Sequence, residues 1–108
     1  MIEVVNVTKK FGDFTAIQDL NFKVSDGSIY GLIGYNGAGK TTLLKLMLGR
    51  LKVQSGAIRV LGKPAGKQNW LISFMPQELG LCPDFSINQT LRYFKLIYQI
   101  SNEDFYER

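Results

Sequence analysis

The stretch Gly34-Tyr35-Asn36-Gly37-Ala38-Gly39-Lys40-Thr41 fills the spacing G-x-x-x-x-G-K-[ST], which suits it to hold the phosphates of a nucleotide. Small residues at Gly37 and Gly39 let backbone N–H groups wrap around phosphate oxygens, where a side chain would block the approach or forbid the backbone angles. Lys40 brings a cation with the reach to follow the β and γ phosphates, and Thr41 brings a hydroxyl for Mg²⁺. The expected ligand is ATP with Mg²⁺, and the expected binding residues are Gly34, Asn36, Gly37, Ala38, Gly39, Lys40, Thr41 and Thr42. A glycine-rich turn with an incidental lysine is the alternative. At ordinary residue frequencies a chance match in 108 residues is on the order of a few in a thousand, so the phosphate reading is preferred.

A strand before the loop and a helix after it are the context that confirms the motif. Ser28 to Ile33 is a continuous apolar run ending at Gly34, the pattern of a central parallel strand buried on both faces. Thr41 to Leu48 holds Leu43, Leu44, Leu46, Met47 and Leu48 before Gly49, which predicts a short buried helix with a glycine stop. The helix adds its positive dipole end to the phosphate loop.

Upstream, Ile2 to Val7, Phe14 to Ile17 and Leu20 to Val24 predict three short strands with turn chemistry at Gly12-Asp13 and Ser25-Asp26-Gly27, hence an antiparallel sheet. Downstream, Ala57 to Leu61 and Leu71 to Met75 predict strands, with Lys63 to Asn69 an exposed loop and Pro76 ending the second strand. Ser86 and Gln89 form a capping box, and Ile87, Leu91, Phe94, Ile97 and Tyr98 predict a helix from about Ile87 to Ile100. Ser101 and Asp104 read as a further helix start.

Composition sets bounds on what surrounds this site. With 45% hydrophobic and 20% charged residues the chain has the make-up of one soluble globular domain. The formal charge of +4 comes from scattered lysines and arginines, so no nucleic-acid partner is expected. Cys82 is the only cysteine, which excludes an intramolecular disulfide and fits a reducing compartment. The N-terminus shows no secretory signal, and Phe85 to Ile100 is too polar and short for the about 20 apolar residues of a membrane span.

From Gly31 to Leu44 the sequence resembles the Walker A segment of ATP-binding cassette proteins, whose fold is an α/β P-loop NTPase with an N-terminal antiparallel subdomain beside a parallel core. Val7-Thr8-Lys9-Lys10-Phe11-Gly12 looks like that family's A-loop, which implies that Phe11 stacks on adenine, with Phe14 as the other candidate. Ile72-Ser73-Phe74-Met75-Pro76-Gln77 resembles the strand into the Q-loop, which implies that Gln77 reaches Mg²⁺ and its water and relays the state of the site to a membrane domain. A bare solvated amide is the plainer account of Gln77. The segment from Glu78 to Leu91 looks most like eukaryotic exporters of the G and H groups.

The resemblance covers residues 1–108 as the N-terminal portion of a cassette. The signature motif, an apolar strand ending in Asp-Glu and a switch histidine have no counterpart; there is no histidine at all, and Glu103-Asp104 follows polar residues. The expectation is therefore a fragment that binds ATP without hydrolysing it and exposes apolar surface, with poor solubility as a result. The resemblance implies transport driven by ATP at the cytoplasmic face of a membrane. It implies as partners a transmembrane domain and a second nucleotide-binding domain. The helix from Ile87 is apolar over more than one face, which fits either a contact with that membrane domain or burial against the rest of a cassette. A soluble cassette acting on ribosomes or DNA is the rival function. A GTPase or small-molecule kinase is disfavoured because strand-like sequence precedes the loop.

Overall fold

Val4 and Val7 are both buried although three positions apart, which the two-residue period of a strand forbids unless the chain slips by one. Asn6, at φ 47°, makes that slip as a left-handed bulge, with its N–H held by Asn21 Oδ1 at 2.8 Å. The bulge crowds the neighbouring strand. A Cβ at Gly56, where φ is +82°, would stand 2.2 Å from the Asn6 carbonyl oxygen, so glycine is required there.

The structure, a computed structural model, describes residues 1–78 and 80–101. Its elements are β1 (Ile2–Phe11), β2 (Phe14–Val24), α1 (Lys40–Met47), β3 (Ser55–Val60), β4 (Lys63–Pro64), a 3₁₀ turn (Asn69–Leu71) and α2 (Ile87–Tyr98). The four strands make one antiparallel sheet in the order β2-β1-β3-β4. The chain divides into two units, Met1–Ser73 and Phe74–Arg108.

In the first unit α1 packs Leu43 and Leu46 onto Val4, Val7, Ile17, Ile58 and Val60 of the sheet. The spacing of three along the helix puts both leucines on one face, and each buried leucine contributes roughly 1.5–3 kcal/mol. The helix stops where Gly49 takes φ 67°, with the Gly49 N–H on Leu46 O and the Arg50 N–H on Lys45 O. Asn69 Nδ2 caps the same end by donating to Leu48 O at 2.8 Å.

Several expected elements differ. The two segments expected at Phe14 to Ile17 and Leu20 to Val24 are one strand, continuous through Asp19 at φ 50°, and β1 runs on to Phe11. Lys63–Asn69 is less loop-like than its Pro64 and Gly66 suggest, since Lys63 and Pro64 pair with β3. Neither Ser28 to Ile33 nor Leu71 to Met75 joins a ladder: no strand is assigned there, Ile33 is 97% exposed and Met75 84% exposed. A parallel strand is held by hydrogen bonds to neighbours distant in sequence. Among the described residues no strand offers such a neighbour. The expected apolar surface follows directly, with Ile29, Ile33 and Trp70 open to solvent.

The second unit contains α2. Its capping box is complete: the Gln89 N–H reaches Ser86 Oγ at 3.3 Å and the Ser86 N–H reaches Gln89 Oε1 at 2.8 Å. Phe85, Tyr93, Phe94 and Tyr98 run as a chain of ring contacts with centroids 5.7–6.2 Å apart, yet no residue of the helix is buried. No helix among the described residues is long and apolar enough to cross a membrane. The helix start expected at Ser101 and Asp104, and the pair Glu103-Asp104, fall on residues that lie, apart from Ser101, outside the described ones.

Candidate functional site

Gly39 is the hinge of the site. It caps α1 in the left-handed region, at φ 89° and ψ 2°, and its own carbonyl accepts the Leu43 N–H at 2.8 Å. A Cβ there would stand 2.6 Å from Ala16 O and 3.2 Å from Ile17 Cγ1, so the loop rests directly on the β2 backbone. That contact sets the height of the loop above the sheet. Ala16 and Ile17 were not legible as loop supports in the sequence, because nothing local to β2 marks the approach.

Gly37 is also left-handed, at φ 86°, but a Cβ there would meet nothing within 4 Å. Its requirement is backbone geometry and the open space in front of it. The Ala38 N–H closes a turn on Tyr35 O at 3.1 Å. Gly34 has a milder constraint, since its Cβ would stand 3.1 Å from the Ala38 Cβ.

The first-turn N–H groups of Lys40, Thr41 and Thr42 have no helical carbonyl to bond, and no side chain caps them. No acidic residue stands in that turn to neutralise the dipole end. Lys40 folds its Nζ back onto the loop, donating to Gly34 O at 2.5 Å and Tyr35 O at 2.6 Å. Thr41 is exposed at the second helical position, and Asn36 and Ala38 are exposed along the loop. The predicted loop residues are thus brought together: left-handed Gly37 and Gly39, an uncapped helix start, the Lys40 ammonium held on the loop and the exposed Thr41. Such a set binds a multiply charged oxyanion. The hydroxyl oxygen is a hard donor of the kind Mg²⁺ accepts beside phosphate oxygens.

A cavity of about 250 Å³ opens behind the loop between Leu32, Ile33, Ile17 and Leu43. Its lining is chiefly apolar and also includes Ala38, Gly39 and Lys40 of the loop. It is the gap between the unpaired Ser28–Ile33 segment and the sheet.

Phe11 ends β1 opposite Phe14, across the two-residue turn Gly12-Asp13, and is 46% exposed. Lys9 Nζ stands 5.1 Å from the centre of its ring. Phe14 is more exposed, and among the described residues no cation lies over its ring. Gln77 is exposed in the second unit.

The sequence model described as ABC transporter matches residues 17–107, most of the chain. The chain belongs to the ABC transporter family. A probable multidrug ABC transporter ATP-binding protein, YbhF of Escherichia coli, is 42% identical over 102 residues, which are 91% of this chain and 18% of that protein. ABC transporter G family member 23 of Dictyostelium discoideum is 34% identical over 113 residues, covering all of this chain and 16% of its own length. The bacterial match exceeds the G-family one, so identity does not single out the G group. A solved ATP-binding subunit of an ABC transporter matches with a TM-score of 0.78 at 25% identity, over all of this chain and 47% of that one. A dimeric cassette, MJ0796 with ADP and phosphate, shares the fold with a TM-score of 0.74 at 21% identity. The fold is therefore that of the ABC-type P-loop ATPases. This chain spans 18% of the first relative and about half of these solved cassettes.

Proposed function

We propose that this chain is the N-terminal portion of the ATP-binding domain of an ABC transporter and that it binds Mg-ATP through the loop from Gly34 to Thr42. The observation that carries the reading is the joint placement of left-handed Gly37 and Gly39, the uncapped start of α1 and the folded-back Lys40. On binding, the N–H groups of Gly37 to Thr42 surround the β phosphate. Lys40 leaves the Gly34 and Tyr35 carbonyls for the β and γ oxygens, exchanging neutral acceptors for charged ones. The Thr41 hydroxyl would hold Mg²⁺, which would neutralise phosphate charge there, and Gln77 is the candidate metal residue of the second unit. Phe11 supplies the base platform.

In the whole transporter, paired domains at the cytoplasmic face hydrolyse ATP to drive transport, with a transmembrane domain as the mechanical partner. The names of the relatives and the dimeric solved cassette support this assignment. For these 108 residues the function is binding without turnover, because no Asp-Glu pair follows an apolar strand and no histidine is present. Calorimetric titration with Mg-ATP beside Lys40→Ala, with released phosphate assayed in the same samples, tests this. Saturable binding that the variant loses, without phosphate release, is the expected result; turnover by the parent chain or equal binding by the variant refutes it.

A further inference from the structure

Lys9 lies outside the phosphate loop, yet its ammonium covers one face of the Phe11 ring at 5.1 Å from the centre. The register of β1 on β2 shifts between Lys9 and Lys10, and it is the contact itself that brings the Lys9 ammonium and the Phe11 ring together at the end of β1. Lys9 is paired with Ile17, and opposed residues of antiparallel strands share a face. Ile17 belongs to the core and would touch a Cβ of Gly39 at 3.2 Å. Lys9 is therefore tied through Ile17 to the side of the sheet that carries the phosphate loop, and its ammonium reaches the Phe11 ring. No carboxylate pairs with Lys9 among the described residues, where the side-chain ion pair is Lys23 with Glu3.

We infer that Lys9 is a positioning residue for base recognition, occupying one face of the Phe11 ring and leaving the other as the platform for a purine. The inference rests on the nucleotide-binding reading above. A half-exposed phenyl at a strand end samples several orientations, and a base that stacks on it must select one. The ammonium removes that freedom beforehand through attraction to the ring's negative face, and it blocks the face that a base would otherwise share with solvent. An exposed contact of this kind changes an equilibrium by about two- to five-fold. Among the described residues no cation lies over the ring of Phe14, across the turn, and it gains no such preorganisation.

The test titrates the full chain with Mg-ATP and, separately, with magnesium tripolyphosphate, which offers the phosphates without a base. Lys9→Met should weaken Mg-ATP about two- to five-fold and leave tripolyphosphate unchanged, because only the base reports on the ring. Lys9→Arg should restore ATP affinity, since a guanidinium also stacks on an aromatic face. In a Phe11→Leu background Lys9→Met should have no further effect. Equal weakening of both ligands would make Lys9 a phosphate-binding cation and overturn the inference, as would unchanged ATP affinity or a Lys9 effect that survives Phe11→Leu. A parent chain that binds tripolyphosphate as tightly as ATP refutes the base platform alone; one that binds neither refutes the nucleotide reading itself.

Discussion

Alanine substitution at the three loop glycines should give a graded series in stability, set by two separable costs. Gly39→Ala incurs both. Its φ of 89° lies in the left-handed region, which costs an L-residue about 1–2 kcal/mol, and its new Cβ would sit 2.6 Å from Ala16 O. The obstacle is backbone of a paired strand and cannot rotate away, so relief requires the loop to lift from β2, at about 1–3 kcal/mol as for other overpacked sites. The expected loss is about 2–5 kcal/mol, a large part of the roughly 5–15 kcal/mol that holds a domain of this size together. Gly37→Ala has the same backbone penalty at φ 86° but nothing within 4 Å, so about 1–2 kcal/mol is expected. Gly34→Ala has no left-handed φ and its one tight contact is the Ala38 methyl at 3.1 Å, with Lys40 at an ordinary 3.9 Å, which predicts the smallest loss of the three. Urea unfolding of the parent and the three variants, with slopes compared to verify a common denatured state, measures the order. Gly39→Ala no less stable than Gly37→Ala would show that the loop does not rest on Ala16, and the account of its height above the sheet would fall.

Other expectations are independent of that series. Gly56→Ala, whose Cβ would meet the Val5 and Asn6 carbonyl oxygens, should destabilise by about 2–5 kcal/mol in urea, while any variant protein still folded binds Mg-ATP with parental affinity. Thr41→Val should abolish the gain in ATP affinity that Mg²⁺ confers yet leave metal-free binding within about two-fold, read by titration with and without a chelator. Ser86→Ala removes the N-cap acceptor of α2 and should cost about 0.5–2 kcal/mol of helix stability, visible as lost far-ultraviolet ellipticity on warming. Leu46→Ala, at a side chain 1% exposed beneath α1, should cost about 2–5 kcal/mol.

The local geometry of the loop proposed to bind phosphate, with left-handed Gly37 and Gly39 before a helix, was legible in the sequence because its requirements are local. Glycine spacing, a lysine and a hydroxyl in successive positions, and a following run of helix formers act within a dozen residues. The same holds for α2, whose Ser86 and Gln89 cap each other across one turn, and for the stop at Gly49. Antiparallel strands joined by short turns were legible for the same reason, although their ends were not. Asn6 and Asp19 enter left-handed conformations that their residue types permit but that nothing local requires, within strands that continue past the expected breaks.

Tertiary structure decided whatever depends on a partner distant in the chain. Ser28 to Ile33 and Leu71 to Met75 have the apolar composition of buried strands, but composition provides no hydrogen-bond neighbour, and among the described residues they pair with none. The contact of Gly39 with Ala16 and of Gly56 with the Asn6 bulge joins residues more than twenty positions apart, so each glycine's necessity is invisible until the elements meet. The sequence by itself determined which donors and which hydroxyl the proposed phosphate loop contains. Folding determined where they stand, because close approach of two backbones depends on packing and is not written in either segment alone.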